Sequence, residues 1–166
     1  KTGRNVTSPR LESILHELNR LSRPLDMPRR VQLCQETLTW VRREQDPRAW
    51  ATLQATLGHS LAQNPQGNRA DNIEQAIEAY QKASHVITRH TMPVEWATVM
   101  LNLGVAYMER TRGDRANNIE QAIQHYRQAS QVMTRQDSPL QWATAMVNLA
   151  IAYAKRARGD RADNVE

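Results

Sequence analysis

The side chains able to ligate a metal or attack a carbonyl are few: His16, His59, His85, His90 and His125, and one cysteine, Cys34. No two of them share a spacing that makes a ligand pair, so no metal site is expected. Cys34 falls at an apolar position, where a thiol acts as a small hydrophobic filler and not as a nucleophile. No glycine-rich phosphate loop and no nucleophile elbow is present. The sequence therefore predicts neither an enzyme nor a cofactor.

Charge is the other chemical signal. Arg110, Arg112 and Arg115 cluster in one turn, and Lys155, Arg156, Arg158 and Arg161 cluster in the next. The net charge of +5 and an isoelectric point near 9.9 permit an anionic partner without identifying it. Stacked repeats would align these turns as a basic edge for nucleic acid or nucleoprotein. Against that, Glu109, Asp114 and Asp160 partly neutralise the edge, arginine suits helix C-termini, and no aromatic stacking platform accompanies it. Arg112-Gly113-Asp114 and Arg158-Gly159-Asp160 spell an adhesion tripeptide. The repeat register accounts for both, because glycine ends a helix and a polar residue follows.

The elements that position these residues are helices. Of 166 residues, 40% are hydrophobic and 23% charged, with six glycines, seven prolines and no phenylalanine. That composition supports a packed helical chain and excludes wholesale disorder or a loop-rich β fold. A single cysteine allows no internal disulfide and fits a reducing, cytoplasmic setting. No apolar run reaches the ~18 residues of a membrane span, and residues 1–10 lack the apolar core of a signal peptide.

Self-similarity decides the organisation. Arg69-Ala70-Asp71-Asn72-Ile73-Glu74 returns 46 residues later at Arg115–Glu120, and again at Arg161–Glu166. Trp50, Trp96 and Trp142, and Pro47, Pro93 and Pro139, keep the same offset. Residues 68–113 and 114–159 are identical at 26 of 46 positions, which chance cannot produce. Met27, Val31, Cys34 and Trp40 preserve only the apolar spacing of a degenerate first copy.

Each copy holds two helices. Asp71 with Glu74, and Asn117 with Glu120, suggest capping boxes. Pro139 opens the other type of helix at its first position, and Gly113 and Gly159 suit left-handed residues after a helix end. The pattern predicts helices over 9–21, 27–44, 47–63, 72–89, 93–111, 118–135 and 139–157. An eighth is predicted to open at the last residues and be cut after one turn, as in a fragment of a longer array. The expected organisation is a segment 1–8 followed by a repeat domain 9–166, with pairs at 9–44, 47–89, 93–135 and a truncated 139–166.

The second helix of a pair has one apolar face: Ile73, Ala76, Ile77, Tyr80 and Ala83. The first helix has two. In 93–111, Trp96, Val99, Leu103, Ala106 and Tyr107 form one stripe, and Leu101, Val105 and Met108 form another on the far side. Val147, Ile151 and Ala154 repeat the second stripe, and Ala55, His59 and Ala62 precede it. Such a stripe is either inter-repeat core or an apolar groove for a partner.

Leu103-Gly104 with Tyr107, then Ala122, Tyr126 and Ala129, and Pro139 together resemble the tetratricopeptide repeat. The resemblance covers about 23–166 and departs in length, 46 residues against roughly 34. It implies an all-α, right-handed superhelical solenoid of antiparallel helix pairs that binds a peptide or protein on its concave face. The matching positions are His59, Thr98, Leu101, Val105, Met108, Glu109, Thr144, Val147, Ile151 and Lys155. A clamp for chaperone carboxylates is disfavoured, since Leu101, Val105, Val147 and Ile151 replace its polar residues. The wider pattern is similar to arrays preceding caspase-like CHAT protease domains in filamentous bacteria and cyanobacteria, whose catalytic cysteine and histidine would lie outside this chain. The expected function is a protein-interaction scaffold, the docking part of a larger protein, with self-association as a further alternative and no membrane partner.

Overall fold

A proline at the first position pre-sets the helical φ and wastes no hydrogen bond, since the first amides of a helix have no intrahelical acceptor. Four helices start this way: α1 (Pro9–Arg20), α3 (Pro47–Ala62), α5 (Pro93–Glu109) and α7 (Pro139–Asp163). Between them lie α2 (Met27–Leu38), α4 (Arg69–Ser84) and α6 (Arg115–Ser130). This computed structural model describes residues 8–163, with side chains through residue 159. The seven helices pack as consecutive antiparallel pairs. No helix among the described residues is long and apolar enough to cross a membrane.

The second-type helices sit earlier than their apolar periodicity predicts. The α4 cap is Asn68, which accepts from the Asp71 amide at 3.1 Å. The α6 cap is Asp114, which accepts from the Asn117 amide at 2.6 Å. The capping boxes expected at Asp71 and Asn117 therefore lie inside the first turn. Gly67 and Gly113, at φ of +81° and +77°, precede these caps and reverse the chain where a Cβ would be strained.

The same helices also end earlier, at Leu38, Ser84 and Ser130 instead of 44, 89 and 135. Local hydrogen bonds replace the last turn. Thr88 and Thr91 bond through their hydroxyls at 2.9 Å, and Thr134 donates to Asp137 at 2.7 Å. Ile87 and Met133, just past the helix ends, are buried anchors. A short 3-10 turn at Pro24–Asp26, closed by Arg23 donating to the Asp26 carboxylate, falls where no element was expected.

At the C-terminal end, α7 runs on to Asp163, so Gly159 is helical and does not terminate the helix. Ala157, Arg158, Arg161 and Ala162 are good helix formers and carry α7 past Gly159. The predicted eighth helix lies outside the described residues.

The chain divides into two compact units, Lys1–Val86 and Ile87–Glu166. In the first, Leu11, Leu18, Leu33, Cys34, Val41 and Leu53 form a core between α1, α2 and α3. Ile73, Ile77 and Tyr80 of α4 are buried as well, with Tyr80 over Gly58 of α3. In the second, α6 packs against both α5 and α7, burying Ile119, Ile123, Tyr126 and Met133 with Leu103 and Ala106.

Candidate interaction face

Helix α7 leaves unburied the stripe that repeats along the first-type helices. Leu140, Val147 and Ile151 are 75%, 58% and 47% exposed. Their spacing of seven and four residues sets them on one side of the helix. Thr144 lies between them and donates to the Leu140 carbonyl at 2.9 Å, and Ala154 and Lys155 extend the exposed face. On α5 the corresponding Leu101, Val105 and Met108 are half-buried, while Thr98 and Glu109 are exposed. Thr98 repeats the threonine bond, donating to the Val94 carbonyl at 3.0 Å.

The other side of α7 is also less covered than its counterpart. Met100, Leu103 and Tyr107 of α5 are buried, whereas Met146, Leu149 and Tyr153 are half-buried. Gly104 becomes Ala150, which is exposed.

His59, expected on the same stripe, belongs to the first unit and is half-buried on α3. Burial, aided by the positive charge of Arg30, holds its imidazole below the usual histidine range. Cys34 is fully buried, and burial pushes its thiol up to about 12, with Arg30 opposing, which leaves it a packing residue.

Several cations of the basic edge are tied to helix ends. Arg110 donates to Asn118 at 3.3 Å, Arg115 to the Met108 carbonyl at 2.8 Å, and Arg156 to Glu120 at 3.3 Å. Arg112 lends its carbonyl to the Asn118 amide group at 2.9 Å. Arg158 is exposed at the end of the α7 stripe. Arg161 is in the last turn of α7, with its side chain outside the described residues. The two adhesion-like tripeptides have different structures. Gly113 is left-handed and Asp114 is a cap, while Gly159 is helical.

Three features escaped the sequence reading. Arg30 donates to the carbonyls of Leu18 and Leu21, both at 2.6 Å, and to Ser60 at 3.1 Å. Asn72 and Asn118 are buried and donate to the carbonyls of Gln66 and Arg112 across their turns. Arg43 lies over Trp50, and Arg135 over Trp142. The 46-residue offset of the last two sets was the signal that could have found them. Arg30 has no counterpart in the other copies and carried no such signal.

Among the described residues no group of three or more His, Cys, Asp or Glu side chains is placed to hold a metal ion. Compared with models of known families, with curated proteins and with solved structures, the chain matches none.

Proposed function

We propose that this chain is a protein-interaction module of tetratricopeptide-like design, and that the first-type helices of its second unit, α7 above all, form the docking face. The observation that carries the reading is the run of exposed Leu140, Val147 and Ile151 on one side of α7. A helix held on its opposite side by α6 presents such a stripe without an ordering cost at binding. Apolar residues at helical spacing match a partner helix or extended segment with complementary anchors. On the resemblance to arrays preceding CHAT domains, such a face belongs to the docking arm of a larger protein.

Panning a displayed random-peptide library against the purified chain tests this. Enriched peptides should share apolar anchors and lose binding to a Val147→Glu/Ile151→Glu variant that keeps its helical circular dichroism. Leu25→Glu, which alters an exposed leucine of the first unit, should leave binding intact. Peptides that bind the α7 variant as well as the parent chain would overturn the assignment.

A further inference from the structure

The α7 stripe is electrically one-sided. Between Pro139 and Gly159 the helix contains no aspartate or glutamate, while Lys155, Arg156 and Arg158 crowd its C-terminal half. Ile151, Lys155 and Arg158 are spaced by four and three residues, so the apolar stripe runs directly into two cations on the same face. From Leu140 to Arg158 this composite strip spans about 27 Å.

Its cationic end reaches the rim of a cleft of about 440 Å³ that Lys155, Arg156 and Arg158 line together with Asp114, Arg115 and Glu120. Both carboxylates of the cleft are engaged. Asp114 caps the Asn117 amide at 2.6 Å, and Glu120 accepts from Arg156 at 3.3 Å. Lys155 and Arg158 have no acidic partner among the described residues. The preceding copy lacks this arrangement, since Glu109 on α5 stands where Lys155 stands on α7.

Resting on the docking reading above, we propose that the partner is an acidic amphipathic protein segment, with apolar residues on Leu140, Val147 and Ile151 and carboxylates on Lys155 and Arg158. An apolar strip beside exposed cations selects a chain carrying both apolar and acidic side chains. Nucleic acid fits less well. Its phosphates would satisfy the cations, but the neighbouring aliphatic stripe offers no stacking surface, and Tyr153 is half-buried with Arg156 4.9 Å from its ring centroid.

Fluorescence anisotropy on the intact chain tests the inference with a labelled peptide bearing a leucine stripe and a glutamate-rich end. Counterparts carry glutamine or lysine in place of glutamate, and a single-stranded RNA serves as competitor. The glutamate peptide should bind roughly tenfold tighter than the glutamine one, and the lysine peptide weakest. The advantage should vanish in Lys155→Gln/Arg158→Gln, which alters only exposed side chains, and shrink between ~50 and ~300 mM salt. If glutamate and glutamine peptides bind equally and both are lost in Val147→Glu/Ile151→Glu, the face stands and the acidic partner is overturned. If no peptide binds saturably, both fall. RNA that displaces the peptide and binds Ile151→Glu undiminished would overturn the protein partner.

Discussion

Gly104 of α5 lies beneath the ring of Tyr126 of α6, so close that a Cβ at that position would overlap the tyrosine Cε1 and Cδ1 atoms. Gly58 and Tyr80 form the same contact in the first unit, with a hypothetical Cβ 2.9 Å from the ring. The backbone-to-ring contact sets how near the two helices of a pair can come. Gly104→Ala should destabilise the second unit by about 1–3 kcal/mol through overpacking. At the equivalent position on α7 the sign reverses. Ala150 is exposed, and Ala150→Gly should cost about 0.5–1 kcal/mol through helix propensity alone. Urea denaturation of both variants checks the pair, and an unchanged midpoint for Gly104→Ala would contradict the packing account.

Asn118 is 1% exposed and links the α5–α6 turn to the body of α6 by donating to the Arg112 carbonyl at 2.9 Å. Truncating it leaves that carbonyl and the Arg110 guanidinium without this partner. Asn118→Ala should cost about 1–3 kcal/mol, and Asn72→Ala a comparable amount in the first unit. Amide exchange should show protection lost first around Arg112–Asn118. Loss spread evenly over α6 would mean that the side chain packs and does not pin the turn.

The proline-led helices are legible in the sequence because their start is a local steric fact at Pro47, Pro93 and Pro139, independent of what packs on them. The second-type helices are displaced because periodicity reports which residues are buried, not which are helical. Ile87 and Met133 continue the apolar spacing beyond Ser84 and Ser130 and are buried in the turn that follows. Asn72 and Asn118 were visible as repeated letters, but whether an asparagine caps or turns inward depends on a helix start three residues away. The candidate face was legible as a stripe on α3, α5 and α7, although Leu140, the most exposed of its apolar residues, was not read as part of it. Which copy leaves it open depends on burial, and only α7 combines the exposed stripe with Lys155 and Arg158.

Arg30 joins three helices of the first unit, donating to the carbonyls of Leu18 and Leu21 at the end of α1 and to Ser60 on α3. Hydrogen bonds from a charged donor are worth about 1.5–3 kcal/mol. Arg30→Met keeps the aliphatic packing and removes these bonds, so α1 should detach more readily. Cys34, buried beside this network, reports the event: a thiol reagent should label the native parent slowly and Arg30→Met at least several-fold faster. Equal labelling rates would show that α1 is held by its apolar face alone.

His125 of α6 stacks on Tyr107 of α5, ring centroids 5.6 Å apart, and its Nδ1 is buried without a hydrogen-bond partner among the described residues. Burial pushes its imidazole below the usual range, with the nearby Gln128 side chain opposing. Above the unfolded pKa of about 6.5 the ring is neutral in both states and its packing contributes fully. As pH falls, the unfolded chain binds the proton first, so stability declines through the interval down to the depressed folded pKa. His59 adds a loss of the same sign in the first unit. His125→Gln should reduce the fall in urea midpoint between pH 8 and pH 5, and His59→Gln/His125→Gln should reduce it further. A parent chain and double variant with identical pH dependence would show that other groups govern acid sensitivity.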